Sequence, residues 1–254
     1  MDTEKIWPDE EIKQELESFS KLYQRRKFRD NRGGMKSTHL FYFYFVLIKL
    51  KFENVIESGI WKGQGTWLMD QIESVKKIMS IDINPKFIKY KSKKASYFNK
   101  DFSTQNFILD REKTLCFFDD HQNAFQRLKT CKEKGYKYLI FEDNYPLTKG
   151  DCLSIKKIID LYSNRNMDLS ESEHDGKYEP PINQIEEMYQ FIKDNIKTYY
   201  EFPPIFCEGK SRWGEEWEKL VTKKPLYESV EKDYLKIYKD EHKDYTYIAY
   251  VELN

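Results

Sequence analysis

The sequence predicts an α/β protein: a doubly wound, mostly parallel sheet with helices on both faces, an antiparallel last strand and a helical N-terminal cap. Three observations predict it. Short apolar runs alternate with helical stretches of about a dozen residues between positions 54 and 162. Within the runs the apolar character is continuous, as it is in strands buried on both faces. A glycine-rich turn, Gly59-Ile60-Trp61-Lys62-Gly63-Gln64-Gly65, follows the first run and leads into a helical pattern.

Residues 9–29 place Ile12, Leu16, Phe19, Leu22 and Tyr23 at three- and four-residue steps, the stripe of an amphipathic helix, and Gly33-Gly34 stops it. Residues 36–50 form a second, more apolar helix. Its run over 40–50 is interrupted by Lys49 and is far short of the roughly 20 residues that span a bilayer, so it reads as a buried helix. Strands are predicted at 54–57, 77–82, 96–98, 114–119 and 138–141, and helices at 64–74, 85–95, 122–134 and 151–162. Residues 164–181 are polar and turn-rich, the composition of an exposed loop or lid. Residues 183–200 have a helical pattern, 201–233 no readable period, and 245–252 alternates as a final strand. One domain follows, divided into a cap (1–52), a core (53–163), an insertion or lid (164–243) and the last strand (244–254).

The 254 residues fit one domain or at most two. Lys plus Arg and Asp plus Glu each total 43, so the formal charge is zero and the basic excess of a nucleic-acid binder is missing. With 19 Tyr, 17 Phe and 5 Trp there is enough large apolar surface to fill a core, which excludes disorder. Cys116, Cys131, Cys152 and Cys207 form no C-x-x-C pair, which argues for ordinary buried thiols in a reducing compartment. The N-terminus has no apolar signal-peptide region. A soluble, cytoplasmic protein is expected, with neither nucleic acid nor membrane as a partner.

The first strand ends in Glu57-Ser58-Gly59, and the helix behind the turn presents free N–H groups. The spacing is G-x-x-x-G, not G-x-G-x-x-G. Gly59 allows a tight turn, and the missing Cβ at Gly63 lets a ligand approach the backbone. A carboxylate before the first glycine opposes a pyrophosphate and suits a cationic amine. Asp82, ending the second strand, is placed to accept both hydroxyls of a ribose. An amine at one end and a ribose in the middle describe S-adenosylmethionine. E-x-G-x-x-x-G with an acidic residue ending strand two resembles the class I S-adenosylmethionine-dependent methyltransferases, which have a Rossmann-like sheet. The resemblance covers roughly residues 53–162 and the last strand. It implies that Glu57, Gly59 and Gly63 line the methionine end, that Asp82 holds the ribose, and that Asp101 and Phe102 contact the adenine. Trp61 either packs on the methionine end or staples the turn to the N-terminal helix.

Strand four ends in Phe118-Asp119-Asp120-His121 and strand five in Phe141-Glu142-Asp143-Asn144. As neighbours in a parallel sheet their backbones lie about 4.8 Å apart and open on one crevice. Four carboxylates there repel unless one keeps its proton or a cation sits among them. Oxygen ligands suit a hard ion such as Mg²⁺ or Mn²⁺, and His121 beside it could act as a general base. This pattern is similar to that of metal-dependent sugar- and antibiotic-tailoring O-methyltransferases, including the bacterial capsule-sugar type and proteins of the cephalosporin hydroxylase type. The resemblance implies Asp120, Glu142 and Asp143 as metal ligands and His121 as the base. Relatives often have D-G-D-H where this chain has Asp119-Asp120-His121, which leaves both Asp119 and Asp120 open.

Residues 31–35 read either as a cover over the cofactor or as a helix cap with a chain reversal. His39 reads as a packed histidine, the lysine-rich stretch 86–94 as an exposed helix face, and His174 and Arg212 as weak candidates for a lid and a phosphate contact. The expected function is metal-assisted O-methylation of a small metabolite. The resemblance points to a sugar nucleotide, a heptose for a capsular polysaccharide, as the small-molecule partner. A homodimer stays open. The alternatives are a metal-independent methyltransferase acting on a phosphate or phosphoramidate oxygen, and a cofactor-binding scaffold without catalysis.

Overall fold

The computed structural model describes residues 6–26, 31–147, 149–164, 182–206, 214, 216, 223–243 and 247–254. His174, Cys207, Arg212 and all of the polar loop 164–181 except Asn164 lie outside them. The strands are β1 (Asn54–Ser58), β2 (Lys77–Ile81), β3 (Ala95–Phe98), β4 (Thr114–Phe118), β5 (Tyr138–Phe141), β6 (Ile196–Glu201) and β7 (Ala249–Leu253). They form one sheet in the order β3-β2-β1-β4-β5-β7-β6. The first five pair in parallel, and β7 is antiparallel to both of its neighbours. This is the Rossmann-like, doubly wound sheet that the alternation predicts. Strand order reverses between β1 and β4, so a crevice opens at their C-terminal ends. Register places Ser58 beside Phe118, and Phe118 beside Phe141, which brings the residues after all three strands to one level.

One face of the sheet packs against α1 (Asp9–Gln24), α2 (Ser37–Leu50) and α3 (Gln64–Gln71), the other against α4 (Ala124–Glu133), α5 (Ile155–Ser163) and α6 (Ile182–Asn195). A last helix, α7 (Lys232–Tyr238), adds Tyr238 to the first face. Leu40 through Leu47 of α2 are all buried, and Phe43 stacks on Phe117 with 4.1 Å between centroids. Burying such side chains contributes roughly 1.5–3 kcal/mol each, which makes the cap part of the core. Among the described residues no helix is long and apolar enough to cross a membrane. Cys116, Cys131 and Cys152 are buried free thiols.

Two predicted elements differ. The helix expected over 85–95 is a single 3-10 turn, Pro85–Phe87. Five lysines between 86 and 94 leave no apolar stripe to bury. Tyr90 and Ser92 instead donate hydrogen bonds to Asp70 of α3, which pins the segment in a non-helical course. The helix expected to run to residue 200 stops at Asn195, and Ile196–Glu201 forms β6. Ile196, Thr198, Tyr199 and Tyr200 are β-branched or aromatic, and pairing with β7 prevails over the helical period.

Candidate functional site

Glu57, at the end of β1, turns inward. Its carboxylate accepts hydrogen bonds from Thr66 Oγ1 (2.6 Å) and Ser80 Oγ (2.7 Å). Burial pushes the Glu57 carboxyl up to about 7, against the pull of those hydroxyls. Glu57 therefore ties α3 to β2 from below and does not line the cleft that the resemblance assigned to it.

The glycines serve the chain's own packing. A Cβ on Gly59 (φ +96) would lie 1.8 Å from the carbonyl oxygen of Asp119, and one on Gly63 (φ +90) would lie 2.7 Å from the carbonyl oxygen of Tyr90. At Gly63 the close approach is made by protein, where sequence reasoning expected a ligand. Asp82 draws the turn onto β2: Oδ2 accepts from the N–H groups of Ile60 and Trp61 (both 3.1 Å), and Oδ1 from that of Asn84 (2.7 Å).

Trp61 staples its turn to residue 32, outside the N-terminal helix expected as its anchor, and also borders the neighbouring cleft. Its Nε1 donates to the carbonyl of Arg32 (3.0 Å), while Gln64 Nε2 donates to that of Met35 (3.1 Å). These bonds fasten residues 31–35 as a roof. Beneath it opens a cleft of about 210 Å³ lined by Gly33, Gly34, Gly59, Trp61, Asp82 and Asp101, among others. Phe102 does not reach it; the ring is buried edge-on against Phe118.

At the far end of this cleft Arg127 of α4 joins Asp101 to Asp120. Hydrogen bonds from Arg127 and Ser103 hold the Asp101 carboxyl well below the usual carboxylate range, despite partial burial. Asp120 also accepts from Ser58 Oγ (2.6 Å). Asp120 is therefore committed to Arg127 and Ser58.

Asp119 points the other way. Asp119, His121 and Asp143 each bring one ligand atom to within 4.8 Å of the others. Of the pair left open by the sequence, the structure places Asp119 with Asp143, and Asp120 is not in this group. Burial, with Glu142 and Asp143 nearby, raises the Asp119 carboxyl well above its usual value, and burial with Glu142 nearby does the same to Asp143. Burial would raise Glu142 too, but the His39 ring against it holds that carboxyl down to about 2. Asp143 accepts from Tyr145 Oη (2.7 Å) and from the His121 N–H (3.1 Å). His121 Nδ1 lies 2.9 Å from Asp151 Oδ1, and its backbone is left-handed at φ +52. Burial lowers the His121 pKa, but Asp143 and Asp151 outweigh it and the net shift is upward. Two carboxyls that resist ionising side by side, with the His121 imidazole close to both, fit a hard divalent cation, whose charge would relieve their repulsion. Glu142, also expected as a ligand, is engaged by His39 instead.

A second cleft, of about 260 Å³, lies beyond this group and is lined by Lys36, His39, Glu142, Tyr145 and Tyr247, among others. It shares Gly33, Gly34, Asp119 and His121 with the first. Sequence reasoning missed His39, Asp151 and Arg127. Only Arg127 left a signal: it stands in the apolar stripe Ala124, Leu128, Cys131 of α4, and a cation in a core stripe implies a buried carboxylate partner.

The chain matches no family model and no curated protein. Among solved structures it is similar to an O-methyltransferase from Bacillus cereus in complex with SAH, with 11% identity over 78% of this chain and 86% of that one and a TM-score of 0.40. It is also similar to a SAM-dependent methyltransferase from Archaeoglobus fulgidus (14% identity, 85% and 94%, TM-score 0.40) and to the methyltransferase domain of a bacterial CtHen1 (13% identity, 85% and 97%, TM-score 0.40).

Proposed function

We propose that this protein is an S-adenosylmethionine-dependent O-methyltransferase acting on a hydroxyl of a small metabolite, with a divalent ion at Asp119 and Asp143 and His121 as the base. One observation carries the reading: two clefts at the strand ends meet across Asp119 and His121. A donor beside Asp82 and an acceptor beside Tyr145 would face each other at that boundary, the in-line geometry that methyl transfer needs. S-adenosylmethionine would supply an already electrophilic methyl carbon, and a bound ion would lower the pKa of the acceptor hydroxyl. The chain's own part is positional. Asp151 orients His121 to take the hydroxyl proton, and the roof held by Trp61 and Gln64 excludes water. The acceptor we propose is a nucleotide-activated sugar, a heptose of a capsular polysaccharide, modified in the cytoplasm.

The test is calorimetric titration with S-adenosylmethionine, with and without Mn²⁺, followed by turnover assays on a panel of sugar nucleotides. Saturable donor binding and Mn²⁺-dependent turnover are expected. No binding of S-adenosylmethionine sinks the proposal. Turnover that survives a chelator removes the ion and moves the reading to metal-independent transfer.

A further inference from the structure

The side chains that hold the roof over the first cleft carry two polar atoms that the chain's own packing leaves unsatisfied. Asn31 Oδ1 and Gln64 Oε1 are buried, and neither has a hydrogen-bond partner. Their amide nitrogens both donate to the carbonyl of Met35, Asn31 Nδ2 at 3.0 Å and Gln64 Nε2 at 3.1 Å. That shared acceptor fixes which end of each amide is which, because an amide oxygen turned towards the Met35 carbonyl would set two acceptors face to face. Two acceptors are therefore left over beside one short strap, and burying such atoms unmet destabilises the fold.

Their position relates them to a ligand. Gln64 opens α3 immediately after the glycine turn. A Cβ on Gly34 would lie 2.9 Å from Asn31 Oδ1, so that oxygen stands directly behind a residue that lines the first cleft. Gly33 lines it too, and neither glycine carries a side chain that could close the way. What complements two leftover acceptors is a group made of donors alone, and an ammonium has three donors and no acceptor. Uncharged oxygens also hold an ammonium without repelling a carboxylate on the same carbon, as a second carboxylate would. Glu57, the acidic residue that the resemblance placed at the methionine end, is 1% exposed and gives Oε2 to Thr66 and Ser80.

We infer that Asn31 and Gln64 hold the α-ammonium of the donor's methionine end through these two oxygens. The assignment rests on the methyltransferase reading. The full chain is titrated calorimetrically with S-adenosylhomocysteine and with its deaminated analogue, which keeps the carboxylate and lacks only the amine. Wild type should bind S-adenosylhomocysteine at least about tenfold more tightly than the analogue, the size expected for hydrogen bonds to a charged group. Asn31→Leu and Gln64→Leu should each narrow that gap at least about threefold, and the double variant should bring it within about twofold. A loosened roof weakens both ligands together, so only a contact with the amine changes their ratio. A variant that still binds the analogue is folded, and the ratio is then read on native protein. Glu57→Gln should keep the gap. Equal affinity for the two ligands in wild type, an unchanged gap in Asn31→Leu and Gln64→Leu, or a gap lost in Glu57→Gln overturns the assignment and leaves the methyltransferase reading standing. No binding of S-adenosylhomocysteine to wild type brings down that reading, and the assignment with it.

Discussion

Arg127 grips Asp101 with two hydrogen bonds, Nη1 to Oδ1 at 2.9 Å and Nη2 to Oδ2 at 2.7 Å, and reaches Asp120 with Nε at 3.0 Å. One nearly buried guanidinium thus joins the segments that follow β3 and β4. Arg127→Met leaves two carboxylates without their counter-charge and is expected to cost about 3 kcal/mol, read as a lower urea midpoint. Arg127→Lys should recover only part, because an ammonium cannot supply the fork. With its pKa depressed in the fold, Asp101 contributes stability above its ordinary value near 3.8 and loses that contribution as pH falls below it. The variant should therefore show a shallower acid limb. An unchanged midpoint would remove this bridge as a stabilising element.

Glu57 has the opposite sign. Its carboxyl, held at about 7, binds its proton more tightly folded than unfolded. Its contribution is complete below its ordinary 4.5 and is lost as pH rises to about 7, a difference of about 3 kcal/mol. Glu57→Gln keeps the neutral form at every pH, so relative to wild type it should gain stability between pH 5 and 8. Denaturant midpoints at the two pH values decide it; a constant offset means that Glu57 is ionised throughout.

Gly59 and Gly135 both have positive φ, but their surroundings differ. A Cβ at Gly59 collides with the Asp119 carbonyl, whereas at Gly135 the nearest atom is 4.0 Å away. Gly135→Ala should cost only the backbone strain, about 1 kcal/mol. Gly59→Ala should cost more than about 4 kcal/mol or yield no folded protein. Similar thermal midpoints for the two would show that β1 and β4 can separate at that point.

The two candidate aspartates can be told apart by Mn²⁺ titration followed by electron paramagnetic resonance. Asp119→Asn and Asp143→Asn should weaken Mn²⁺ binding more than about tenfold. Asp120→Asn should leave it within about twofold while lowering stability through Arg127. The reverse pattern would return the site to Asp120.

His121 sits in a left-handed conformation that a non-glycine residue adopts at a cost of roughly 1 kcal/mol. His121→Gly relieves that cost and removes the proposed base. Turnover should fall roughly 10²–10⁴-fold while the unfolding midpoint holds or rises. Turnover near the wild-type rate would exclude His121 as the proton acceptor.

Much of this was legible because local and global signals agree. The apolar runs and the glycine turn predicted β1 to β5 and put Asp82 and His121 just past strand ends, where both line one cleft. What stayed hidden depends on side-chain direction, which alternation along a strand fixes only while the strand lasts. Asp119 and Asp120 follow β4, so the sequence could not say which turns to Asp143. His39 is far from Glu142 along the chain, and only the packing of α2 on the sheet brings them together. Strand β6 was hidden by the helical period running into it from α6.

The contact of His39 with Glu142 and the roof anchored on Trp61 bring the cap to the edge of both clefts. In the proposed function the donor turn belongs to the strand-and-helix core, whereas half of the acceptor cleft's wall comes from the first fifty residues. On that reading, exchanges at Lys36 and His39 would reshape only the recipient's side, whereas exchanges at Gly33 and Gly34 would reach both clefts.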